Sequence, residues 1–422
     1  MEKFVGYVCS LCKTEYAPGE VTYTCPKDGG NLDVVLDYDA IKSKYQPDDV
    51  FSRTDSSLWR YLPLLPVFAP KGSATPLHAA GGTPVYKTNS LAESLGLQNL
   101  WLKDESKNPT ASFKDRASAI VVARAQELRS EVIVTASTGN AGAALAGMSA
   151  AVGQKAIIFA PKSAPQAKVA QLLIFGAKVI LVDGTYDDAF DLTVKCADEF
   201  GWYCRNTGYN PFTAEGKKTA AFEIWEWWRT AHLEMHKDIG EDFEHKPLTI
   251  FVSVGDGNII SGIHKGFKDL YKLGWMARMP RIVGVQAEGS AAIANAFHGN
   301  TEEITSVSAK TMADSISVDL PRDGVRAVRA SKETQGTYIT VTDDEILKAV
   351  ADLGRVGVFA EPAGAAAYAG LVKGSANGVV GGEDPVLVLN TGSGLKDVRA
   401  AMQAVSPAPI IEPSLEAVKR VL

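Results

Sequence analysis

A lysine at the predicted start of a helix is the first residue here whose position suggests chemistry. The segment Asn108–Arg116 reads Asn-Pro-Thr-Ala-Ser-Phe-Lys-Asp-Arg; Asn-Pro marks a turn, and Lys114 opens the helix that follows. The positive end of a helix dipole disfavours a second positive charge, so it lowers the pKa of a lysine placed there. Such a lysine can form a Schiff base with an aldehyde. Taken alone, Lys114 is also explained as a surface charge.

Three further segments place glycines and small polar side chains directly after apolar runs. Ser137-Thr138-Gly139-Asn140 offers the backbone N–H groups of a helix start, which bind an anion such as a carboxylate. Gly255–Ile259 lets the backbone approach a phosphate, provided that the Asp256 carboxylate turns away. Thr391 offers a hydroxyl to a buried heteroaromatic nitrogen. Each segment alone is equally a capping motif or a tight turn.

The first 40 residues carry three of the five cysteines and resemble a zinc ribbon in outline. Cys9 and Cys12 form a CxxC pair, and Cys25 begins a second pair whose last position is Asp28. Three thiolates and a carboxylate can ligate zinc, although four cysteine or histidine ligands are more usual. We therefore hold two interpretations open, a zinc site on these four residues and a ribbon that packs without metal. In both, this segment is expected to be structural and remote from the chemistry.

Composition excludes several classes of protein. The 422 residues are 46% hydrophobic and 22% charged, which permits a large core and argues against disorder. Lysine and arginine number 43 against 49 acidic residues, a net charge of −6, which argues against a general binder of nucleic acid or anionic membranes. With no apolar run of membrane-spanning length and no signal-peptide pattern at the start, we expect a cytoplasmic protein.

Alternating short apolar runs and longer helical patterns predict an α/β fold with parallel sheets. Nine runs are predicted as strands, which is many for one sheet and favours two α/β domains. They are Leu100–Leu102, Val132–Ala136, Ala156–Phe159, Val179–Val182, Thr249–Val254, Ile282–Gln286, Tyr338–Val341, Val358–Ala360 and Pro385–Leu389. Ligands in such folds bind at the carboxyl ends of strands, where the four segments above are placed.

Together the four segments supply a reactive lysine, a carboxylate site, a phosphate site and a hydroxyl. This set matches pyridoxal phosphate: an aldehyde for Lys114, a phosphate for the glycine loop and a ring nitrogen for Thr391. The same residues carry a family resemblance. Five segments resemble motifs of fold-type II pyridoxal-phosphate enzymes and, within them, of the threonine synthase family: Ser112–Arg116, Ser137–Asn140, Glu215–Thr219, Glu361–Gly364 and Thr391–Asp397. The resemblance runs over roughly residues 5–400.

This resemblance implies two doubly wound α/β domains, a small cysteine-containing N-terminal ribbon and specific roles for residues. Lys114 would be the catalytic residue that carries the cofactor and then acts as the base. Asn140 would bind the phenolic oxygen, and Thr391 would face the pyridine nitrogen. The cofactor phosphate would be held by Gly255, Asp256, Gly257, Asn258 and Ile259. Substrate-binding residues would be Ser137, Thr138, Asn140, Arg205 and Lys217.

The reaction implied is the conversion of O-phospho-L-homoserine and water to L-threonine and phosphate. One position departs from the family, because Thr213 stands where an arginine usually helps to hold the substrate phosphate. We expect a replacement cation, with Arg205 and Lys217 as candidates. The alternatives are cysteate synthase, which uses O-phosphoserine and sulfite, another β-replacement enzyme, or an ammonia-lyase on the same fold.

The expected domain organisation follows the same resemblance. Residues 1–40 form the ribbon and 41–75 a connecting arm. Residues 76–115 and 211–405 form the large cofactor-binding domain, and 116–210 form the small domain. We also expect a homodimer that acts on a small-molecule substrate and has no nucleic-acid or membrane partners.

Overall fold

The computed structural model describes residues 4–51, 54–71, 74–137, 139–164, 166–239 and 246–422, and it has mixed α/β architecture built on three sheets. The strands are β1 Gly6–Cys9, β2 Glu15–Tyr16, β3 Leu32–Val35, β4 Val85–Lys87, β5 Leu100–Asp104, β6 Val132–Ala136, β7 Lys155–Pro161, β8 Lys178–Val182, β9 Tyr203–Cys204, β10 Thr249–Ser253, β11 Arg281–Ala287, β12 Tyr338–Val341 and β13 Val386–Asn390.

Helices cover and connect these sheets. They are α1 Tyr38–Lys44, α2 Pro47–Phe51, α3 Asn89–Ser94, α4 Lys114–Glu127, α5 Asn140–Ala150, α6 Gln166–Ile174, α7 Tyr186–Phe200, α8 Phe212–Lys217, α9 Thr219–Ile239, α10 Asn258–Lys272, α11 Ala292–His298, α12 Gly324–Glu333, α13 Asp343–Arg355, α14 Pro362–Ala376, α15 Val398–Gln403 and α16 Leu415–Lys419. Among the described residues, no helix is both long and apolar enough to cross a membrane.

The largest sheet has six strands in the order β12-β11-β10-β13-β5-β4, all parallel except the edge strand β4. Every residue of β5, β10 and β13 is buried, as expected when helices cover both faces of a parallel sheet. Continuous apolar runs in the sequence therefore predicted these strands correctly.

A second sheet has four parallel strands in the order β8-β7-β6-β9, and its strands all lie between residues 132 and 204. The third is a small antiparallel sheet, β2-β1-β3, within the first 35 residues. The predicted α/β fold with an N-terminal ribbon is confirmed, whereas the division into domains at the residues given above stays a prediction.

One predicted strand is wrong. Val358–Ala360 forms no strand; only Ala360 makes an isolated bridge, to Ser393. The segment lies against the Gly392–Gly394 turn instead of beside a sheet strand: Gly394 N donates to Phe359 O at 2.8 Å, and Glu361 N donates to Gly392 O at 3.1 Å. Because its backbone groups bond to that turn, they do not pair with a sheet strand.

The segment predicted as a connecting arm is also more ordered than expected. It contains most of α1, all of α2 and a 3₁₀ helix at Leu58–Leu64. Phe51, Trp59 and Tyr61 are buried rather than spread over a surface; the Phe51 ring lies 5.6 Å from Tyr61 and 4.6 Å from Trp225. The segment is therefore part of the core.

A buried network of charges fixes the start of α4. The Arg116 guanidinium donates to Glu105 and to Glu223 at 2.7 Å each, and Lys103 Nζ donates to Glu223 at 2.8 Å. All four side chains are almost fully buried. Although burial raises the pKa of Glu223, Arg116 and Lys103 together hold that pKa below its usual value. Two cations and two anions thus satisfy one another without water.

Removing one charge from this network should be costly. We expect Arg116→Met to lower the free energy of unfolding by about 3–5 kcal/mol, because it leaves two buried carboxylates, Glu105 and Glu223, with Lys103 as their one remaining counter-charge within the network. The exposed Arg355 pairs with Asp352 at 2.7 Å and serves as a control; Arg355→Met should change stability by less than about 1 kcal/mol. Urea denaturation measures both.

The pH dependence provides a second check of the network. The wild-type carboxylates have lowered pKa values, so their stabilisation is present above the unfolded pKa of glutamate and is lost as the pH falls. In Arg116→Met, protonation at low pH instead removes the excess buried negative charge that Lys103 alone does not balance. The deficit should therefore shrink as the pH falls; a constant deficit between pH 7 and pH 4 would contradict this account.

Candidate active site

The four segments that sequence analysis singled out meet in one place. Each follows the carboxyl end of a strand, β5, β6, β10 or β13. A small cavity of about 30 Å³ is lined by Lys114, Asn140, Thr391 and the loop that begins at Gly255. A larger cavity of about 350 Å³ adjoins it and shares Lys114, Asn140 and Asp256 with it. The residues predicted to hold a cofactor thus share a single cavity.

Lys114 is the first residue of α4, and backbone contacts fix its position. Phe113 N donates to Thr391 O at 2.9 Å, and Asp115 accepts a hydrogen bond from Thr110 N at 2.6 Å. Burial, and then the nearby Arg205 guanidinium, lower the pKa of Lys114. The lowered pKa agrees with the sequence-based expectation, which invoked the helix dipole; the causes in the structure are burial and Arg205. The lowered pKa makes the neutral form of the Lys114 amine easier to reach.

Asn140 is the first residue of α5, and its side chain contacts a glutamate that sequence analysis left without a role. Asn140 Nδ2 donates to Glu361 Oε1 at 2.7 Å. Burial raises the pKa of Glu361 to about 7, although the Asn140 hydrogen bond favours its charged form. Glu361 stands at the start of the Glu-Pro-Ala-Gly motif, which was the available signal for it.

The loop Gly255–Ile259 leads from β10 into α10 and has the geometry of an anion site. Gly257 has φ +87°, and a Cβ there would lie 2.6 Å from Asp323 O. The first-turn N–H groups of α10 have no acceptor within the helix, so they are free to face a ligand. Asp323 N donates to Asp256 O at 2.9 Å, and Arg322 N donates to Asp256 Oδ1 at 3.4 Å, so the Asp256 carboxylate is engaged by the neighbouring loop.

Lys217 lies at this same loop. Its Nζ donates to the neutral amide oxygen of Asn258, and Thr213 Oγ1 donates to the same oxygen at 3.1 Å. Burial, followed by the charges of Lys114 and Arg205, lowers the pKa of Lys217 well below its usual value. Lys217 therefore lies where the sequence placed the cofactor phosphate. Thr213 stands at the position that usually holds arginine, and it shares the Asn258 acceptor with Lys217. Lys217, one helical turn later, therefore supplies a cation close to that position.

Arg205 is fully buried at the end of β9. It donates to Thr207 Oγ1 at 2.7 Å and to Ser118 Oγ at 3.2 Å, while its buried Nη2 has no hydrogen-bond partner among the residues that the structure describes. Burial lowers its pKa to about 10. Thr207 lines both cavities, so Arg205 lies behind Thr207.

A cation that sequence analysis missed lies in the larger cavity. Arg322 lines it together with Ser137 and Tyr186, and its Nη2 donates to Asp187 at 2.6 Å. Thr138, which was predicted to bind substrate, lies outside the described residues. Arg322 lies near the end of the long segment between α11 and α12, where no periodicity marks its place. Long irregular loops are often functional, and this was the only signal for it.

The N-terminal cysteine segment is not remote from these cavities, contrary to the sequence-based expectation. Asn31 donates through Nδ2 to Gly208 O and, at 3.0 Å, to Arg322 O. Gly208 directly follows the cavity residue Thr207. The ligand atoms of Cys9, Cys12, Cys25 and Asp28 lie within 4.8 Å of one another. The ribbon thus touches two loops of the candidate site.

Comparison with known proteins agrees with this geometry. Residues 77–392 match the family described as pyridoxal-phosphate dependent enzyme. A threonine synthase from Methanocaldococcus jannaschii is 37% identical over 417 residues, covering 98% of both chains. This chain belongs to the pyridoxal-phosphate-dependent enzymes, and within them to the threonine synthase family. A threonine synthase from Methanosarcina acetivorans is 36% identical, over 98% of this chain and 98% of its own. One from Mycobacterium tuberculosis is 34% identical, over 78% of this chain and 87% of its own.

Solved structures share the fold at lower identity. A threonine deaminase from Solanum lycopersicum has a TM-score of 0.64 at 22% identity, over 81% of this chain and 92% of its own. Diaminopropionate ammonia lyase from Escherichia coli has the same TM-score at 20% identity, over 84% of this chain and 92% of its own. This chain therefore shares its architecture with a threonine deaminase and an ammonia lyase.

The residues of the smaller cavity fit pyridoxal phosphate. Lys114 offers an amine for its aldehyde, and Thr391 a hydroxyl near the end of β13. Lys217 is a buried cation whose side-chain partner is a neutral amide, and it stands beside the free amides of α10. Among the described residues Lys217 forms no ion pair, although Asp256 and Asp323 lie nearby, and a bound phosphate would supply a direct counter-charge. The roles of these residues toward the cofactor stay proposals.

The phosphate site can be tested by cofactor affinity. Gly257→Val should weaken pyridoxal-phosphate binding at least tenfold, because a Cβ meets Asp323 O and displaces the loop. Gly378→Val is the matched control: Gly378 has φ +70°, but a Cβ there meets nothing within 4 Å.

Lys217→Met should also weaken binding at least tenfold, through loss of a charge-assisted contact. Dialysis followed by absorbance measures occupancy, and full retention by Lys217→Met would refute its role.

Glu361 generates a prediction about pH. Its carboxyl, with a pKa near 7, ionises as the pH rises, and the ionised form is the stronger acceptor for Asn140 Nδ2. We therefore expect kcat/KM to rise with pH through about 7. Glu361→Gln keeps an acceptor oxygen but cannot titrate, so this part of the profile should disappear. An unchanged pH profile in Glu361→Gln would assign the limb to another group.

Proposed function

We propose that this enzyme converts O-phospho-L-homoserine and water into L-threonine and phosphate. The observation that carries the proposal is the make-up of the larger cavity. Lys114, the start of α5 and Arg322 all line it. These groups can engage, in turn, the reacting carbon, the carboxylate and the phosphate of one amino-acid phosphate. The family membership of the chain supports the same substrate class.

Pyridoxal phosphate, when bound, supplies an aldehyde for the substrate amine and a ring that stabilises negative charge at Cα. The residues proposed to hold it are Lys114, Asn140, Thr391 and the loop Gly255–Ile259. A neutral hydroxyl at Thr391 does not hold a ring nitrogen protonated as a carboxylate would, so charge stays more on the substrate. Lys217 adds a cation at the phosphate end.

Lys114 is proposed to move protons at the substrate. Once free, its amine can accept the Cα proton, because burial and Arg205 lower its pKa toward the working range of a general base. Its place at the start of α4 is fixed by the Phe113–Thr391 backbone hydrogen bond, which limits where the amine can reach. Glu361 also faces this space and holds Asn140 in position.

The substrate carboxylate is proposed to bind at the start of α5. Gly139 N donates to Ser137 Oγ at 3.2 Å, which holds the Ser137 side chain beside the start of α5. Gly142 packs directly on the Ser137 carbonyl, where a Cβ would overlap it. The free N–H groups of the first turn can then face an anion in the cavity.

The substrate phosphate is proposed to bind Arg322, with Arg205 acting through Thr207. Arg322 is 30% exposed and faces the cavity, and its pairing with Asp187 and its place over the Phe190 ring fix the guanidinium plane. A fixed guanidinium can bind phosphate through two N–H groups. This assignment replaces Lys217, which lies at the cofactor loop.

A substrate screen with an arginine variant tests this function. O-phosphohomoserine should release phosphate and yield threonine, whereas O-phosphoserine with sulfite, homoserine and threonine should react more slowly. Arg322→Ala should raise KM for O-phosphohomoserine about 10- to 100-fold, the equivalent of about 1.5–3 kcal/mol, without loss of bound cofactor. Arg355→Ala, at an exposed arginine, is the matched control.

Two outcomes would count against this function. An unchanged KM in Arg322→Ala would remove Arg322 from the phosphate site. Faster phosphate release from O-phosphoserine with sulfite than from O-phosphohomoserine would replace threonine synthase activity with cysteate synthase activity.

A further inference from the structure

The ribbon contains a cluster whose spacing matches the coordination shell of a metal ion. Cys12 Sγ lies 3.7 Å from Cys25 Sγ, and Cys9 Sγ lies 3.3 and 3.6 Å from the two oxygens of Asp28. Around a tetrahedral zinc, with Zn–S ~2.3 Å and Zn–O ~2.0 Å, two sulfurs lie ~3.8 Å apart and a sulfur and an oxygen ~3.5 Å. Two pairs of side chains therefore already stand at zinc-ligand separations, and all four ligand atoms lie within 4.8 Å of one another.

Backbone donors around the cluster have the orientation that favours charged ligands. Leu11 N donates to Cys9 Sγ at 3.3 Å, and Cys12 N donates to Asp28 Oδ2 at 3.2 Å. Gly30 N donates to Asp28 Oδ1 at 2.8 Å. Such contacts fix ligand side chains before an ion arrives and stabilise negative charge on them.

Glycine at position 30 is part of the same arrangement. A Cβ at Gly30 would lie 2.7 Å from Cys9 Sγ and 2.9 Å from Asp28 Oδ1. The two ligands come from opposite ends of the ribbon, Cys9 from β1 and Asp28 from the turn before β3. Only a residue without a side chain lets both approach so closely.

The cluster is directly linked to the loops of the active site. Ser10, between two of the cysteines, donates through its N–H to Asn31 O at 2.8 Å. Asn31 Nδ2 in turn donates to the carbonyl oxygens of Gly208 and Arg322. The geometry of the cluster therefore sets where Asn31 lies, and Asn31 joins the loop that carries Thr207 to the loop that carries Arg322.

We propose that Cys9, Cys12, Cys25 and Asp28 bind one zinc ion as a structural site, and that this ion fixes Asn31 between the two active-site loops. Four protein ligands close the shell, so the ion has no open position for catalysis. Three thiolates favour zinc over magnesium or calcium, which prefer oxygen ligands. Asn31 is a positioning residue: it acts on substrate binding through Thr207 and Arg322.

Metal analysis tests the site itself. Protein expressed with zinc and purified without chelator should contain about one zinc per chain by mass spectrometry. Cys196→Ser, outside the cluster, is the matched control and should keep the metal. Cys25→Ser should lose it. Asp28→Asn, a milder change that keeps the fold testable, should weaken zinc at least tenfold in competition with a chromophoric chelator.

Cobalt substitution reports the ligand at position 28. Asp28→Cys should increase the thiolate-to-cobalt absorbance relative to wild type, because it converts three sulfur ligands into four. A wild-type protein without zinc, or equal zinc content in Cys25→Ser, overturns the metal site. Identical cobalt spectra for wild type and Asp28→Cys would overturn Asp28 as a ligand.

Hydrogen exchange tests the link without any substrate, so it stands apart from the proposed reaction. Zinc removal by chelator should speed exchange at least threefold in peptides that contain residues 205–210 and 320–324, while β13 stays protected. Asn31→Ala should do the same with zinc still bound, and it should raise KM with kcat unchanged. Asn31→Asp has lost both donors and should behave like Asn31→Ala. Unchanged exchange and KM in Asn31→Ala overturn the link.

Discussion

The buried ion-pair network around Arg116 is the constraint on which the active-site geometry depends. Arg116 and Lys103 meet Glu105 and Glu223 without access to water. Such a network is tolerated only when every member is satisfied, since each unpaired charge would cost several kcal/mol. It therefore allows one arrangement of β5, α4 and α9. Lys114 stands two residues before Arg116, so the same constraint fixes where the Lys114 amine lies.

Close helix packing carries that constraint to the phosphate end of the site. Helix α8 lies between α4 and α10, and glycines allow both contacts. A Cβ at Gly216 would overlap the Arg116 carbonyl, and a Cβ at Gly262 would lie 2.6 Å from Lys217 Cβ. The start of α4, the Lys217 amine and the start of α10 are thereby held in one register. Two ends of a cofactor can be positioned only if these elements do not slide.

The sequence predicts those features that follow from local pattern. Parallel strands buried on both faces read as continuous apolar runs, so β6 and β12 were placed correctly to the residue. Val358–Ala360 has the same pattern but lies beside a turn, a tertiary fact that no local pattern contains. Lys217 and Arg322 show the same limit at the site, because the burial and direction of a long side chain depend on helix packing and on an irregular loop.

The charges that remain unbalanced explain how one site can attract anions and still use a neutral lysine. Arg205, Lys114 and Lys217 lie close enough that each of the two lysines has its pKa lowered by its cationic neighbours in addition to burial. Asp256 and Glu361 oppose them, but burial raises the pKa of both carboxyls. A bound phosphate would offset the charge at Lys217, while Glu361 lies near Lys114. The same positive charge thus favours anionic ligands and lowers the pKa of the Lys114 amine.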